Sequence, residues 1–193
     1  MEFALKGGMH MEAGMSCTRY ASPIGPLLLA GAGGRLAGLW MEGQKYFPGA
    51  MVADMPRDDD LPVFVAARDW LDRYFAGKSP RPSELPLAPD GSDFRRAVWE
   101  ILCAIPYGEV TTYGRIAALL AARMDKESMS CQAVGGAVAH NPIAIIIPCH
   151  RVVGADGCLT GYAGGIERKA RLLGHEGVDM DRLYIPAEGL RQG

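Results

Sequence analysis

Apolar and polar positions divide the chain into two regions of different character. In 26–30 and 35–41 they alternate about a glycine-rich turn, which predicts a β-hairpin. Over 62–76, Phe64, Ala67, Leu71, Tyr74 and Phe75 recur at helical spacing, and Gly77 follows as a C-terminal cap. Residues 79–92 hold four prolines, which favour extended chain and are expected to exclude helix, so a domain boundary is placed there. Beyond it, Asp93 is expected to cap a helix through Ala104, with Phe94, Ala97, Val98, Ile101 and Leu102 facing inward. A second helix opens at Thr111 or Thr112 and carries Ile116, Leu119 and Leu120. After a polar turn at 123–128, a third runs from near Ser130 to His140. Such a pair is a helix-turn-helix candidate, although pattern alone does not separate it from two helices that merely pack. The β-branched run 143–147, bracketed by Pro142 and Pro148, predicts a short buried strand that ends on Cys149, His150 and Arg151.

The third helix contains two adjacent glycines, Gly135 and Gly136, each costing about 1 kcal/mol against alanine in a helix interior. Something must approach this backbone closely, either a neighbouring helix or a nucleic-acid groove. The expected division is a disordered start (1–14), an N-terminal α/β domain (15–78), a Pro-rich linker (79–92), a second domain (93–177) and a tail (178–193).

Composition narrows the function classes. A chain of 193 residues that is 49% apolar can bury a substantial core as one domain or two small ones. Its apolar stretches fall short of the roughly 20 residues needed to span a bilayer, and its start lacks the pattern of a secretory signal. No membrane association is expected, and the cytoplasm is the expected location. Five cysteines form no CxxC pair, which argues against a disulfide framework or a zinc knuckle. Net charge is −2, with nine basic against eight acidic residues over 93–177, so any nucleic-acid surface must be a local patch. The run Asp58–Asp59–Asp60 is read as a solvated loop rather than a metal site, because consecutive side chains point in different directions.

Cys149 is the only cysteine with a directly adjacent cationic residue, His150, and Arg151 follows it. A thiol with a pKa near 8.5 becomes a nucleophile when a cation, helix terminus or base favours its thiolate. Adjacency alone does not place His150 on Cys149, since successive side chains of an extended chain face opposite ways.

Several motifs together carry a resemblance. They are Ile105-Pro106-Tyr107-Gly108, Thr112-Tyr113, Ala133-Val134-Gly135-Gly136, Asn141-Pro142, Pro148-Cys149-His150-Arg151-Val152-Val153-Gly154, Gly161-Tyr162-Ala163-Gly164-Gly165 and Leu172-Leu173-Gly174-His175-Glu176-Gly177. The stretch 93–177 closely resembles the O6-alkylguanine-DNA alkyltransferases, and the N-terminal part does so more loosely through Ser22-Pro23-Ile24-Gly25 and the 71–78 helix end. The resemblance implies an N-terminal ribonuclease-H-like α/β domain followed by a C-terminal winged helix-turn-helix-like domain. It also implies irreversible transfer of an alkyl group from O6-alkylguanine in DNA to Cys149, with O4-alkylthymine as a second candidate substrate.

In that scheme His150 activates Cys149 through a water, Glu176 orients the imidazole, Asn141 braces the turn and Tyr113 donates a proton toward guanine N3. Gln132, Ala133, Gly135 and Gly136 enter the minor groove. Tyr162, Ala163 and Gly164 wall the base pocket, with Arg151 and Val152 beside it. Arg151 is read more readily as a buried tie between the domains than as a substrate contact. No cofactor and no metal is expected, and a monomer is expected to bind damaged DNA. Many family members carry arginine at the position of Gln132. Glutamine brings no charge, so weaker DNA binding with a shallower salt dependence is expected. Two rivals remain: a non-catalytic alkylation-damage sensor and a Cys-His hydrolase.

Overall fold

A computed structural model describes residues 14–185. The disorder expected of 1–14 therefore lies, apart from Gly14, outside the described residues. The chain begins with an antiparallel meander of β1 (Ser16–Ser22), β2 (Gly25–Ala32) and β3 (Arg35–Met41), followed by α1 (Gly49–Ala53) and α2 (Pro62–Phe75). The second region holds α3 (Asp93–Cys103), β4 (Thr111–Thr112), α4 (Tyr113–Arg123), α5 (Cys131–Ala139), β5 (Val152–Val153) and α6 (Ile166–His175).

The predicted hairpin is β2–β3. Its register brings Ala32 opposite Arg35 and leaves Gly33 and Gly34 as a two-residue loop, both with positive φ (56° and 75°). The sheet is buried on both sides. Leu27 and Leu29 face the main core, while Leu28 and Ala30 join Met15, Cys17, Trp40 and Met55 in a smaller cluster. β1 was not visible in the apolar pattern because it is mostly polar and takes its conformation from pairing with β2. α2 starts with Pro62 in its first turn and packs Phe64, Ala67, Leu71 and Tyr74 inward. Gly77 (φ 76°) then lets Lys78 N–H donate to Arg73 O (3.0 Å), closing the helix end. Asp59 accepts from Thr18, Arg57 and Arg68, so the aspartate run is an ion-paired loop, and those bonds hold its carboxyl down to about 2.

Three expectations need correction. The four prolines do not exclude all helix, because Pro82–Glu84 forms one 3-10 turn with Pro82 at its start, where no N–H is required. The cap of α3 is Ser92, whose hydroxyl accepts from Arg95 N, while the Asp93 carboxylate is taken by Arg96. The run 143–147 is not a strand. Ile143 makes a single bridge to Leu39, and the chain then turns, with Ile145 at φ 68° and Ile147 N–H donating to Ile143 O (3.0 Å). Its β-branched residues are all buried, so their composition reflects a core position rather than a strand.

One apolar core runs through both regions, from Leu29, Trp70 and Tyr74 to Val98, Val134, Ile145 and Leu172. The Pro-rich segment lies along the free edge of β3, where Leu36 N–H donates to Pro86 O and Ala88 N–H to Leu36 O (2.9 and 2.8 Å). Farther along that edge Leu39 bonds Pro142 O and Ala144 N (2.8 Å each), so the sheet holds the start of the Cys149 turn. Among the described residues no helix is long and apolar enough to cross a membrane.

Candidate active site

The site forms where the turn after α5 ends. Asn141 organises that turn: its Oδ1 accepts from Ile143 N (3.0 Å), and its Nδ2 donates to Ile147 O (2.7 Å) and approaches Cys149 Sγ (3.1 Å). The side chain thus does locally what a strand ladder would otherwise do, and it delivers a donor to the sulfur. Pro148 then leads into a 3-10 turn, Cys149–Arg151, whose three side chains are all buried. Burial pushes the Cys149 thiol up, against the bond from Asn141 and the nearby charge of Lys169.

The curl of this turn places His150 where an extended chain could not. Its Nε2 lies 2.7 Å from Glu176 Oε1, the ring is wholly buried, and Nδ1 has no protein partner among the described residues. Burial lowers its proton affinity, and the Glu176 carboxylate opposes that effect. Glu176 caps α6. Gly177 (φ 76°) allows the closing bonds Gly177 N–H to Gly174 O (3.0 Å) and Val178 N–H to Leu173 O (3.1 Å), which fix the direction of the carboxylate. Burial works against the ionised carboxyl, but the bonds and charges of His150 and Arg151 outweigh it and hold Glu176 well below the usual carboxylate range.

Arg151 is buried, as its structural reading expected. Its Nε and Nη2 bond Glu176 (2.8 and 3.0 Å) and its Nη1 bonds Ile105 O (2.6 Å), so the buried guanidinium is spent inside 93–177. None of these bonds reaches 15–78, so this side chain does not make the expected direct tie between the regions. Tyr74 makes one such tie at the site, donating from α2 to Glu176 Oε1 (2.7 Å).

Tyr113 is held near this centre because β4 pairs in parallel with β5 (Thr111 with Val152, Thr112 with Val153), and Thr112 caps α4. Its hydroxyl donates to Thr160 O (3.2 Å), and burial pushes it up to about 12. Across the loop 161–165, a Cβ on Gly161 would come within 2.5 Å of the Tyr113 hydroxyl, and one on Gly164 within 2.6 Å of Met41 Sδ and 2.7 Å of the Tyr162 ring. A side chain at either position would force these neighbours to shift, and Gly161 also has a positive φ of 69°. Tyr162 stands edge-on to His150 (6.5 Å, 81°), and Ala163 O accepts from Lys45 N (2.9 Å).

Two family models match the chain: the ribonuclease-like domain of 6-O-methylguanine DNA methyltransferase over residues 15–89, and its DNA binding domain over 93–178. The chain belongs to the 6-O-methylguanine DNA methyltransferase family. It is similar to the methylated-DNA–protein-cysteine methyltransferase of Mycobacterium bovis, with 47% identity over 86% of this chain and 92% of that protein. The Haemophilus influenzae protein of the same name is 42% identical over 81% of this chain and 83% of its own length. Among solved structures, Mycobacterium tuberculosis OGT in complex with DNA superposes with a TM-score of 0.73 at 43% identity, covering 87% of this chain and 94% of that one. The two-domain architecture of the methyltransferase family, ribonuclease-like then DNA-binding, is the architecture of this chain.

In this family member the remaining predicted residues fall into two groups. Gln132, Ala133 and Gly136 form the exposed face of α5, with Gly135 half-buried beside them, while Val134, Ala137 and Val138 face the core. Val152 is buried and lends its carbonyl to Lys169. Lys169 and Tyr74 were missed by motif reasoning. Both were detectable as polar groups on apolar helix stripes, since Lys169 lies three residues from Ile166 and from Leu172. Among the described residues no group of three His, Cys, Asp or Glu side chains could hold a metal.

Proposed function

We propose that the protein repairs O6-alkylguanine in DNA by moving the alkyl group irreversibly to its own Cys149. Two observations carry it: Asn141 Nδ2 lies on the Cys149 sulfur, and the next residue, His150, has Nε2 on Glu176 while its Nδ1 has no protein partner among the described residues. His150 Nδ1 faces away from Glu176, and a water between it and Sγ would pass the thiol proton to the imidazole. Glu176 stabilises the imidazolium so formed, as carboxylates do in triads. The thiolate attacks the alkyl carbon, an S–C bond forms, the C–O6 bond breaks, and guanine leaves as its proton is supplied from the side of Tyr113. O4-alkylthymine fits the same displacement.

The base must be rotated out of the duplex, at a cost of a few kcal/mol. The exposed face of α5 enters the minor groove, with Gln132 occupying the place of the flipped base, and Tyr162, Ala163 and Gly164 line its pocket. Chemistry and DNA contact belong to 93–177, joined through 79–92 to the supporting domain 15–78. The protein acts as a monomer in the cytoplasm, a reducing compartment suited to its five free cysteines.

Intact mass after incubation with an O6-methylguanine duplex tests this reading. One added methyl group, lost in Cys149→Ala, supports it. Unmodified protein that stays bound to the DNA would instead support a damage sensor, and repeated turnover of substrate a hydrolase.

A further inference from the structure

Glu176 is the most heavily bonded carboxylate at the site. Oε1 accepts from Tyr74 (2.7 Å), His150 (2.7 Å) and Arg151 Nη2 (3.0 Å), and Oε2 from Arg151 Nε (2.8 Å) and Gly108 N (3.2 Å). Four of these donors belong to the DNA-binding domain. The Tyr74 hydroxyl alone comes from the ribonuclease-like domain, 102 residues earlier in the chain.

Tyr74 is fully buried, and its ring is fixed by Trp70 (5.5 Å), Phe75 (5.1 Å), Tyr107 (5.9 Å) and His175 (5.3 Å). Burial and the adjacent carboxylate push the phenol far above its ordinary range, so it acts here only as a donor. It donates to the same oxygen that holds His150. Each further donor on a carboxylate oxygen draws off charge and weakens its hold on a neighbouring proton.

We propose that Tyr74 is a positioning residue for the transfer reaction. Through Glu176 Oε1, the N-terminal domain restrains the imidazolium form of His150 and so favours the thiol form of Cys149 in the free protein. The inference rests on the alkyl-transfer reading above. It supplies a reason for the contact, since a protein whose thiol is consumed in one event loses everything if that thiol is oxidised first, and oxidation follows thiolate character. The other ionisable groups facing His150 and Glu176 are Arg151 beside them, Lys169 from α6, Cys149, Tyr107 after α3 and Tyr162 of the pocket loop. All of them are left in place by removal of one hydroxyl.

Tyr74→Phe keeps the ring and removes only the donor. Histidine-selective NMR titration of the full chain is expected to show the His150 midpoint rising by roughly half to one pH unit in this variant. The pH midpoint for carboxamidomethylation of Cys149, read by peptide mass, should fall correspondingly. Replacing Tyr74 by 3-fluorotyrosine, a stronger donor of nearly the same shape, should move both midpoints the other way and does not depend on the phenylalanine variant folding. Tyr107→Phe is the control for lost packing, because that hydroxyl bonds His175 O instead. An unchanged or lowered His150 midpoint in Tyr74→Phe, or an equal shift in Tyr107→Phe, overturns the proposal. These measurements use no DNA, so they judge Tyr74 separately from the intact-mass test of alkyl transfer.

Discussion

Burying a lysine ammonium costs several kcal/mol unless the site compensates it. Lys169 is nevertheless fully buried, and its acceptors are two main-chain carbonyls, Val152 O (2.5 Å) and Thr160 O (2.7 Å). Burial brings it down to about 8, against the nearby Cys149 and Cys158, so it is mostly charged at neutral pH and its field favours a Cys149 thiolate. The same ammonium joins the chain just after the Cys149 turn, at Val152, to the start of the 161–165 loop, at Thr160. Lys169→Met should therefore slow methyl transfer by about tenfold at pH 7, the effect of raising the thiol by one unit. The difference from wild type should shrink above pH 8, as the wild-type ammonium loses its proton. Single-turnover rates from pH 6 to 9.5 check both statements, and a pH-independent difference would reduce Lys169 to a structural tie.

At the scale of elements, α5 shows what a sequence pattern can and cannot say. Its two glycines announced a close approach, but not what approaches. A Cβ on Gly136 would meet nothing within 4 Å, and one on Gly135 only the Tyr113 ring at 3.9 Å, so packing inside the molecule does not require either glycine. The proposed groove contact gives these glycines a reason that internal packing does not. Gly136→Ala should accordingly stabilise the free protein by up to about 1 kcal/mol, the helix-propensity difference, while Gly136→Leu should fold normally and bind duplex DNA more weakly. Thermal melts and a binding titration separate the two effects. The helices were legible because their apolar stripes persist over three turns. The Cys149 turn was misread as a strand because β-branched residues suit any tightly packed core, and the side-chain bonds of Asn141 that bend the chain leave no periodic trace.

At the scale of the molecule, what the sequence left hidden is the seam between the domains. The Asn-Pro and Pro-Cys-His-Arg motifs made the reactive residues legible, yet nothing local indicates that Leu39 anchors their turn or that Tyr74 reaches Glu176, because those partners are separated by about a hundred residues. Glu176 is where the seam and the chemistry meet, and it neutralises the buried Arg151. Glu176→Gln removes that charge while nearly preserving shape, leaving a buried guanidinium uncompensated at a cost of about 3–5 kcal/mol. Because the folded-state carboxyl is held below its ordinary range, its contribution is complete above about pH 4.5 and is lost as pH falls through the folded value. Urea unfolding from pH 7 to pH 3 should therefore show a wide gap between wild type and variant at neutral pH that narrows on the acid side. A gap that stayed constant to pH 3 would mean that the acid sensitivity of the fold lies elsewhere than in the carboxylate joining Tyr74, His150 and Arg151.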